Sequence, residues 1–466
     1  MNIKRFMNRF ILLIIILLFG ITLNNYHRSL TSNNGYGYEY LYMVPTIFLS
    51  SLLIFDFKKT IKNPALLMIL GILSLKYLIT PVLMIYTDNF SGTMNFVETS
   101  FESRRSSVNM FIFNMSVTLI FLKVLLGNDR KVEQLKTRSY GLNSTVILIS
   151  IFIGVISLVV FPNIMDNLTF LIFGRFKDME NRNSLVTILT YFSTYIQVFI
   201  FLLIIKHSIK KEKKVSTTLL ILLGFTMNTA ILWNTNRMTI IINAITSFMM
   251  IISIFPSYFK RLFIPLIMVT SVMVVSLTGY RYLGDINADI GEIFDVFNSK
   301  TIANHFQLYF SGPDGLAATI EMNNSYHNFD LESFITDTFT GVNFIREFSF
   351  ISSNYEKTSV YLYNMTAAGG YNTGLIIPIE GQSFVYFGYI FSPLLLLVYL
   401  YLYRVSYNKL LRSKDLGIKY AFLYLTINLA FSPIYNHTIV VQNIFNRFIP
   451  LMIIVLINSK VRSITR

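Results

Sequence analysis

The sequence predicts an all-helical integral membrane protein with about twelve transmembrane helices and one large helical outer loop. Three observations predict this fold class. Apolar stretches recur along the whole chain, the segments between them alternate in charge, and one polar segment is far longer than the rest. Hydrophobic residues make up 53% of the chain and charged residues only 14%, which is too few charges to coat a soluble protein of this size.

Nine apolar stretches precede the long polar segment and three follow it. A helix needs about twenty apolar residues to cross the hydrocarbon core, and several of these stretches are shorter, so their ends are defined only to within a few positions. The predicted spans are Phe10–Leu23, Tyr40–Phe57, Pro64–Tyr86, Val108–Leu126, Thr145–Phe161, Leu185–Ile205, Thr217–Trp233, Met238–Phe255, Leu262–Thr278, Phe384–Tyr403, Tyr420–Tyr435 and Phe448–Ile457. The chain therefore divides into residues 1–278 with spans one to nine, an outer loop at 279–383, and residues 384–466 with the last three spans.

The charge distribution predicts the orientation. If the amino terminus is cytoplasmic, the inner segments hold 26 of the 39 basic residues and the outer segments hold 12, with Lys76 inside a span. Basic residues prefer the cytoplasmic side. We therefore expect a multi-pass protein of the cytoplasmic membrane with both termini inside. The net charge of +15 is explained by inner loops facing anionic lipid, so no nucleic-acid partner is expected.

The amino-terminal span has a basic flank like that of a signal peptide, but no small-residue cleavage site follows it. We expect an uncleaved signal anchor. The chain contains no cysteine, which excludes disulfides and thiolate metal sites.

The long outer loop predicts a compact helical cap. It is polar but rich in aromatic residues, which disordered segments lack. Helical spacing is visible in Ile302–Phe310 and Leu316–Met322, with Ser311-Gly312-Pro313 as the break between them. At its end, the apolar segment Gly374–Gly381 is too short to span a membrane. It either dips into the outer leaflet with Glu380 at its tip or is an ordinary amphipathic loop.

Arginine dominates the predicted outer segments, which hold three lysines and nine arginines. A planar fork of donors suits bidentate binding of phosphate. Arg237 and Arg447 are the best candidates because each abuts a membrane span. The alternative is contact with lipid headgroups, which we favour for Arg28, Arg104 and Arg105. The remaining outer arginines are Arg175, Arg182, Arg281 and Arg346.

Two residues are candidates for acid–base chemistry. Glu380 is either a general base or the partner of an outer arginine. His437 lies ten residues before Arg447 at the predicted outer end of the eleventh span, where it could accept a proton from a hydroxyl group; its alternative role is structural. The other loop histidines and carboxylates are expected to be mostly solvated.

Three local patches resemble the oligosaccharide repeat-unit polymerases of bacterial surface polysaccharides, the O-antigen and capsule polymerases. One patch is a short polar turn that ends in an arginine at the head of a helix. The second lies within the long loop, and in the third an acidic residue precedes an aromatic-glycine helix start. The patches are Trp233–Arg237, Tyr309–Gly312 and Gly374–Gly388. The spaced arginine-to-glycine repeats seen in some members are not clear here, which leaves the roles of Arg175 and Arg281 open.

The resemblance implies a helical bundle of the lipid-dependent (GT-C-like) glycosyltransferase type, situated in a bacterial cytoplasmic membrane. It implies transfer of a growing glycan from a polyprenyl pyrophosphate to a hydroxyl of an incoming lipid-linked repeat unit. Arg237, Arg447, Arg281, Arg346 and Arg175 would bind the pyrophosphate or glycan. No cofactor and no metal would be needed, and a chain-length regulator is a candidate protein partner.

Other classes remain open at this stage. An O-antigen ligase uses the same donor with a different acceptor. A flippase for lipid-linked sugars would need charges inside the helices, where Lys76 is the only deep candidate. A metal-dependent lipid-linked glycosyltransferase would need an acidic pair in the first outer loop, which holds only Glu39. A non-enzymatic chain-length protein would need few spans.

Overall fold

The computed structural model is almost entirely helical. It describes residues 3–29, 36–56, 60–61, 63–90, 99–126, 144–162, 168–170, 184–209, 214–233, 237–283, 298–326, 329–342, 345, 354–368 and 375–464.

Ten helices and two short strands form the part of the chain before the long loop, counted over the described residues. They are α1 (Ile3–Ser29), α2 (Met43–Leu52), α3 (Pro64–Ser74), α4 (Thr80–Thr87), α5 (Phe101–Leu126), α6 (Ser144–Val160), β1 (Leu168–Phe170), α7 (Ser184–Ile209), α8 (Lys214–Ala230), β2 (Ile231–Trp233), α9 (Arg237–Ile254) and α10 (Phe259–Leu283). Strands β1 and β2 pair antiparallel, with Thr169 opposite Leu232.

The rest of the described chain adds nine helices. They are α11 (Ser299–Tyr309), α12 (Pro313–Ser325), α13 (Leu331–Thr340), α14 (Ser359–Ala368), α15 (Ile379–Phe387), α16 (Leu394–Arg412), α17 (Leu416–Ala430), α18 (His437–Gln442) and α19 (Ile449–Ile464). Short 3₁₀ turns occur at Pro256–Tyr258, Tyr355–Lys357 and Ser432–Ile434.

Six helical stretches within the described residues are long and apolar enough to cross a membrane. They are Arg9–Ser29, Pro64–Thr87, Phe101–Leu126, Arg237–Ile254, Pro256–Leu277 and His437–Val461. Each of the twelve predicted spans overlaps a helix, but the other six helices are short or less apolar. The described structure is therefore a helical protein with six candidate membrane-spanning helices. The count of twelve stays a prediction.

The predicted tenth span, Phe384–Tyr403, is divided between α15 and α16. The division occurs at Gly388, whose φ of 77° is readily adopted only by glycine. The chain resumes a helix at Leu394. The predicted eleventh span is likewise interrupted, because α17 ends at Ala430 and the 3₁₀ turn containing Pro433 follows. The break after α17 places buried non-helical backbone inside the bundle, whereas the break at Gly388 is exposed.

Two π-helical segments interrupt otherwise continuous helices. Leu75–Ile79 joins α3 to α4, and Asn443–Phe448 joins α18 to α19. π-Helical turns are rare and occur frequently at functional sites. The first contains Lys76 and the second contains Arg447, so both cations project from locally widened turns.

The helices predicted in the long loop are confirmed. Helices α11 and α12 cover Ile302–Phe310 and Leu316–Met322 with shifts of a few residues at the ends. The predicted break is also present. Ser311 adopts a left-handed φ of 51°, and the Gly312 amide donates to the Gln307 carbonyl at 3.0 Å. Pro313 opens α12, as its fixed φ favours, but the left-handed residue is Ser311 rather than the neighbouring glycine.

The segments predicted to face outward contact one another at one end of the bundle. The loop helices bond to the turn after α4 through Asn89 and Asn304, to the start of α5 through Ser100 and Glu321, and to the last span through Gly341. By contrast, α1 is mostly exposed along its apolar length, with Ile15 56% exposed, as expected for a helix in contact with lipid.

The orientation can be tested with single cysteines, because the native chain has none. Lys357 and Lys414 are both exposed and lie in segments predicted to be outside and inside. We expect Lys357→Cys to react with a membrane-impermeant maleimide on intact cells and Lys414→Cys to react only after lysis. Labelling of Lys414→Cys alone on intact cells would reverse the predicted topology.

Candidate functional site

Lys76 forms a fully buried ion pair with Glu380. The Lys76 ammonium donates to both carboxylate oxygens, at 2.7 and 2.8 Å, and both side chains have 0% exposure. Removing a charged group from water costs several kcal/mol unless a well-placed partner compensates. Each charge therefore requires the other, although 304 residues separate them in sequence.

Two irregular backbone segments and the start of a short α-helix meet at this pair. Lys76 lies in the first π-helical segment, Glu380 lies in the first turn of α15, and the Pro433 carbonyl in the 3₁₀ turn accepts a third hydrogen bond from Lys76 at 2.6 Å. The Tyr77 hydroxyl also donates to Glu380 at 3.1 Å. The ion pair thus joins α3, the short helix α15 and the break after α17.

This geometry corrects the role predicted for Glu380. Its partner is Lys76 rather than an outer arginine, and its carboxylate has no exposed surface in this conformation. The prediction that Gly374–Gly381 is non-helical is also partly wrong, because α15 begins at Ile379. Gly381 allows α12 to pack closely here. A Cβ atom at this position would lie 2.8 Å from the Thr319 hydroxyl oxygen.

The polar network continues from Glu380 along α15 to Gln382. The Gln382 side-chain oxygen accepts from the His437 backbone amide at 2.8 Å, and its amide group donates to Asp337 at 3.2 Å. Gln382 is fully buried. It therefore connects α15 to the start of α18 and to the loop helix α13.

His437 uses both ring nitrogens within the protein. Its Nε2 lies 2.9 Å from the Thr338 hydroxyl and its Nδ1 lies 2.6 Å from the Tyr399 hydroxyl. The Phe334 ring stacks on the imidazole at 5.2 Å between centroids, and the side chain is 7% exposed. This geometry favours the structural alternative for His437, since neither nitrogen is available to a substrate in this conformation.

Asp337 is a buried carboxylate, although the loop carboxylates were expected to be mostly solvated. One of its oxygens accepts hydrogen bonds from Ser359, Tyr386 and Gln382. Its other oxygen has no hydrogen-bond partner among the described residues. Burial raises the pKa of the Asp337 carboxyl, against the hydrogen bonds that lower it. A charge pattern alone could not reveal this burial.

Arg447 lies in the wall of a small cavity whose surface is mostly apolar. The cavity is formed by α7, α9, α17 and the last span, and measures about 40 Å³, which is room for about three water-sized groups. The Arg447 guanidinium donates to the Tyr424 hydroxyl at 3.4 Å. Its backbone is held by the Tyr195 hydroxyl, which donates to the Arg447 carbonyl at 2.8 Å. The cavity is lined by Thr194, Tyr195, Gln197, Val198, Thr239, Asn243, Tyr420, Tyr424, Arg447 and Leu451.

Arg237 opens α9, the helix that contributes Thr239 and Asn243 to this cavity. Its guanidinium lies 4.8 Å from the centre of the Tyr309 ring and donates to the Tyr309 hydroxyl. Tyr309 ends loop helix α11. The structure thus brings the long loop to Arg237 and the cavity helix that it opens, although Arg237 and Tyr309 are 72 residues apart in sequence.

The other predicted binding arginines lie partly or wholly beyond the described structure. Arg175 and Arg346 fall outside the described residues. Arg281 lies within α10, and its side chain is outside the described part.

Arg104 is held by protein contacts, which corrects its assignment to lipid headgroups. It donates to the Thr99 hydroxyl at 2.9 Å and lies 5.7 Å over the Tyr38 ring. Tyr38 in turn donates to Asp314 in α12 at 3.2 Å. Burial raises the pKa of Asp314 to about 7, against the opposing effects of the Tyr38 hydrogen bond and the Arg104 charge.

Comparisons with known proteins identify no relative. No protein-family model matches the sequence, and neither curated proteins nor solved structures give a match.

The buried ion pair predicts that replacing one partner alone destabilises the protein. Lys76→Met should cost about 3 kcal/mol or more because it leaves the Glu380 carboxylate buried without its counter-charge. The double variant Lys76→Met/Glu380→Gln should recover most of this loss. Thermal unfolding in detergent measures both effects. Lys123→Met serves as the control, since Lys123 lies in a span but is only partly buried. Equal stability of the single and double variants would contradict the coupling.

The raised pKa of Asp314 predicts how the stability of the protein depends on pH. Its folded-state pKa of about 7 lies above the ordinary value of 3.8. Between pH 3.8 and about 7, Asp314 is therefore protonated in the folded state and ionised in the unfolded state. Stability should therefore fall as pH rises from about 4 to 7 and then level off. Asp314→Asn should remove this component, unfolding at a higher temperature than the native protein at pH 8 but not at pH 4. A parallel pH dependence in both proteins would contradict the assignment.

Proposed function

We propose that this protein is a lipid-dependent glycan transferase of the bacterial cytoplasmic membrane. Within that class we propose a repeat-unit polymerase, which moves a growing glycan from its polyprenyl pyrophosphate to a hydroxyl of an incoming lipid-linked unit. The proposal includes the twelve-span topology, the GT-C-like arrangement of the helices and a reaction at the outer face of the membrane.

The observation that carries the proposal is the arrangement of Arg237 and Arg447. Both are partly buried at the same end of the bundle, one at the head of α9 and the other in the wall of the cavity that α9 lines. A guanidinium presents five donors in a fixed fork that matches phosphate oxygens. Two such groups beside a loop that contacts the membrane helices suit a pyrophosphate carried at the bilayer surface.

The chemistry follows from charge development. The bond between the anomeric carbon and the pyrophosphate oxygen breaks, a bond forms between that carbon and the acceptor oxygen, and the acceptor's proton passes to the departing pyrophosphate. The departing pyrophosphate gains negative charge in the transition state. Fixed guanidinium donors in a partly dry site stabilise that charge more strongly than water does. Glu380 and His437 are positioning residues in this proposal, because their hydrogen bonds hold α15 and α18 in place.

Substitution of the arginines tests the proposal. Lysine keeps the charge but loses the planar fork. Removing a stabilising donor from such a site typically costs about 3 kcal/mol, or roughly a hundredfold in rate. Arg237→Lys and Arg447→Lys should insert normally while cells accumulate single lipid-linked repeat units, which lipid extraction and mass spectrometry measure.

Arg28→Lys is the matched control. Arg28 is exposed at the end of α1, where we assign it to headgroup contact, so this variant should produce glycan of normal length. Equal and mild effects of all three substitutions would make the arginines membrane anchors and would reject the proposed site.

Metal dependence separates this proposal from the metal-dependent class of lipid-linked glycosyltransferases. The first predicted outer loop contains only one acidic residue, Glu39, whereas a divalent ion needs several oxygen ligands. We expect purified protein to polymerise lipid-linked repeat units in the presence of EDTA. Loss of activity that magnesium or manganese restores would assign the protein to the other class. Transfer of a single glycan to a second acceptor, without a ladder of lengths, would indicate the ligase.

A further inference from the structure

Two residues that line the cavity beside Arg447 carry a buried polar atom without a partner. The Gln197 side-chain oxygen and the Thr239 hydroxyl have no hydrogen-bond partner among the described residues. Gln197 is 4% exposed and Thr239 is 7% exposed, and both line the cavity. The two atoms themselves have almost no accessible surface. Because leaving a buried polar group without a partner is costly, a rotation of either side chain that brings its atom to a ligand in the cavity is favourable.

The two sides of the cavity differ in what they offer a ligand. Arg447 offers only donors, which suit the oxygen of a phosphate. The Gln197 oxygen can only accept, and a fully ionised phosphate has no proton to give it. The Thr239 hydroxyl can do either. A ligand that satisfies both sides must carry a negative oxygen and, within a few ångströms of it, a hydroxyl group.

The size of the cavity restricts the ligand further. About 40 Å³ admits about three water-sized groups and excludes a whole sugar ring. A phosphate oxygen together with a hydroxyl from an attached sugar fits this space. Tyr195, Tyr420 and Tyr424 border the same cavity, whose surface is mostly apolar, which suits the edge of a pyranose.

We infer that Gln197 and Thr239 form a hydroxyl-recognition subsite for the sugar attached directly to the donor pyrophosphate. This inference rests on the proposed function and deepens it, since it separates recognition of the sugar from recognition of the phosphate. Arg447 binds the pyrophosphate, while Gln197 accepts a hydrogen bond from the neighbouring sugar hydroxyl and Thr239 completes its contacts. The protein thereby distinguishes a glycosylated lipid from the spent carrier.

Binding to two lipids tests the subsite. The full-length protein in nanodiscs is titrated with undecaprenyl pyrophosphate, which lacks a sugar, and with lipid-linked repeat units extracted from the producing bacterium. Gln197→Met and Thr239→Val should each weaken binding of the glycosylated lipid by about fivefold, the effect of one lost hydrogen bond. Their affinity for the bare pyrophosphate should be unchanged. Arg447→Lys should weaken binding of both lipids.

Thr246→Val is the matched control for Thr239→Val. Thr246 lies seven residues further along α9, is fully buried, and donates to the Ile242 carbonyl of its own helix at 2.7 Å, away from the cavity. This variant should bind both lipids as the native protein does. Its thermal unfolding also reports the general cost of replacing a buried threonine in α9.

Three results would overturn the inference. If Gln197→Met and Thr239→Val bind the glycosylated lipid with native affinity, the two atoms are satisfied by water alone. If they weaken binding of both lipids equally, they support the phosphate site and not the sugar. If the native protein binds neither lipid, the proposed function itself is wrong, whereas normal binding by the native protein and weak binding by Arg447→Lys would preserve it.

Discussion

The buried pair of Lys76 and Glu380 is the interaction on which the arrangement of this protein depends. Neither charge is tolerable alone in a dry interior, so the two helices that carry them are fixed relative to each other. The Pro433 carbonyl joins the same ammonium. Helix α15 is too short to span a membrane by itself, and its ion pair with Lys76 therefore holds it in place. The loop helices pack on α15.

A continuous set of contacts leads from this pair to the cavity. Glu380 and Gln382 share α15, Gln382 binds the backbone at His437, and the helix that starts there carries Arg447 ten residues later. The loop adds a second constraint, because Asn446 donates to the Gly341 carbonyl at 2.6 Å. Glu380 and His437, the candidates for acid–base chemistry, thus help to orient Arg447, the candidate for phosphate binding. The residues that position the site therefore lie apart from the residue that binds.

Periodicity and charge predicted the helical class, the paired loop helices and their break at Ser311, because these depend on local chemistry. They did not predict the division of the tenth span, since Gly388 lies in a long apolar run where a helix continues equally well by composition. Lys76 and Glu380 were each recognised as unusual, but their pairing spans 304 residues and is set by packing. Asp337 was misassigned because burial of a loop carboxylate leaves no mark on the surrounding sequence.

The two π-helical segments have a consequence for how this chain diverges. A π-helical turn contains one residue more than the α-helical turn it replaces, so each segment is equivalent to a single inserted residue. Deleting one residue from Leu75–Ile79 would restore a regular helix and leave the α4 side chains facing their present neighbours, because the π-helical turn absorbs the rotation of about 100° that one extra residue would impose on a regular helix. Chains that share this fold can therefore differ in length by one residue at these positions.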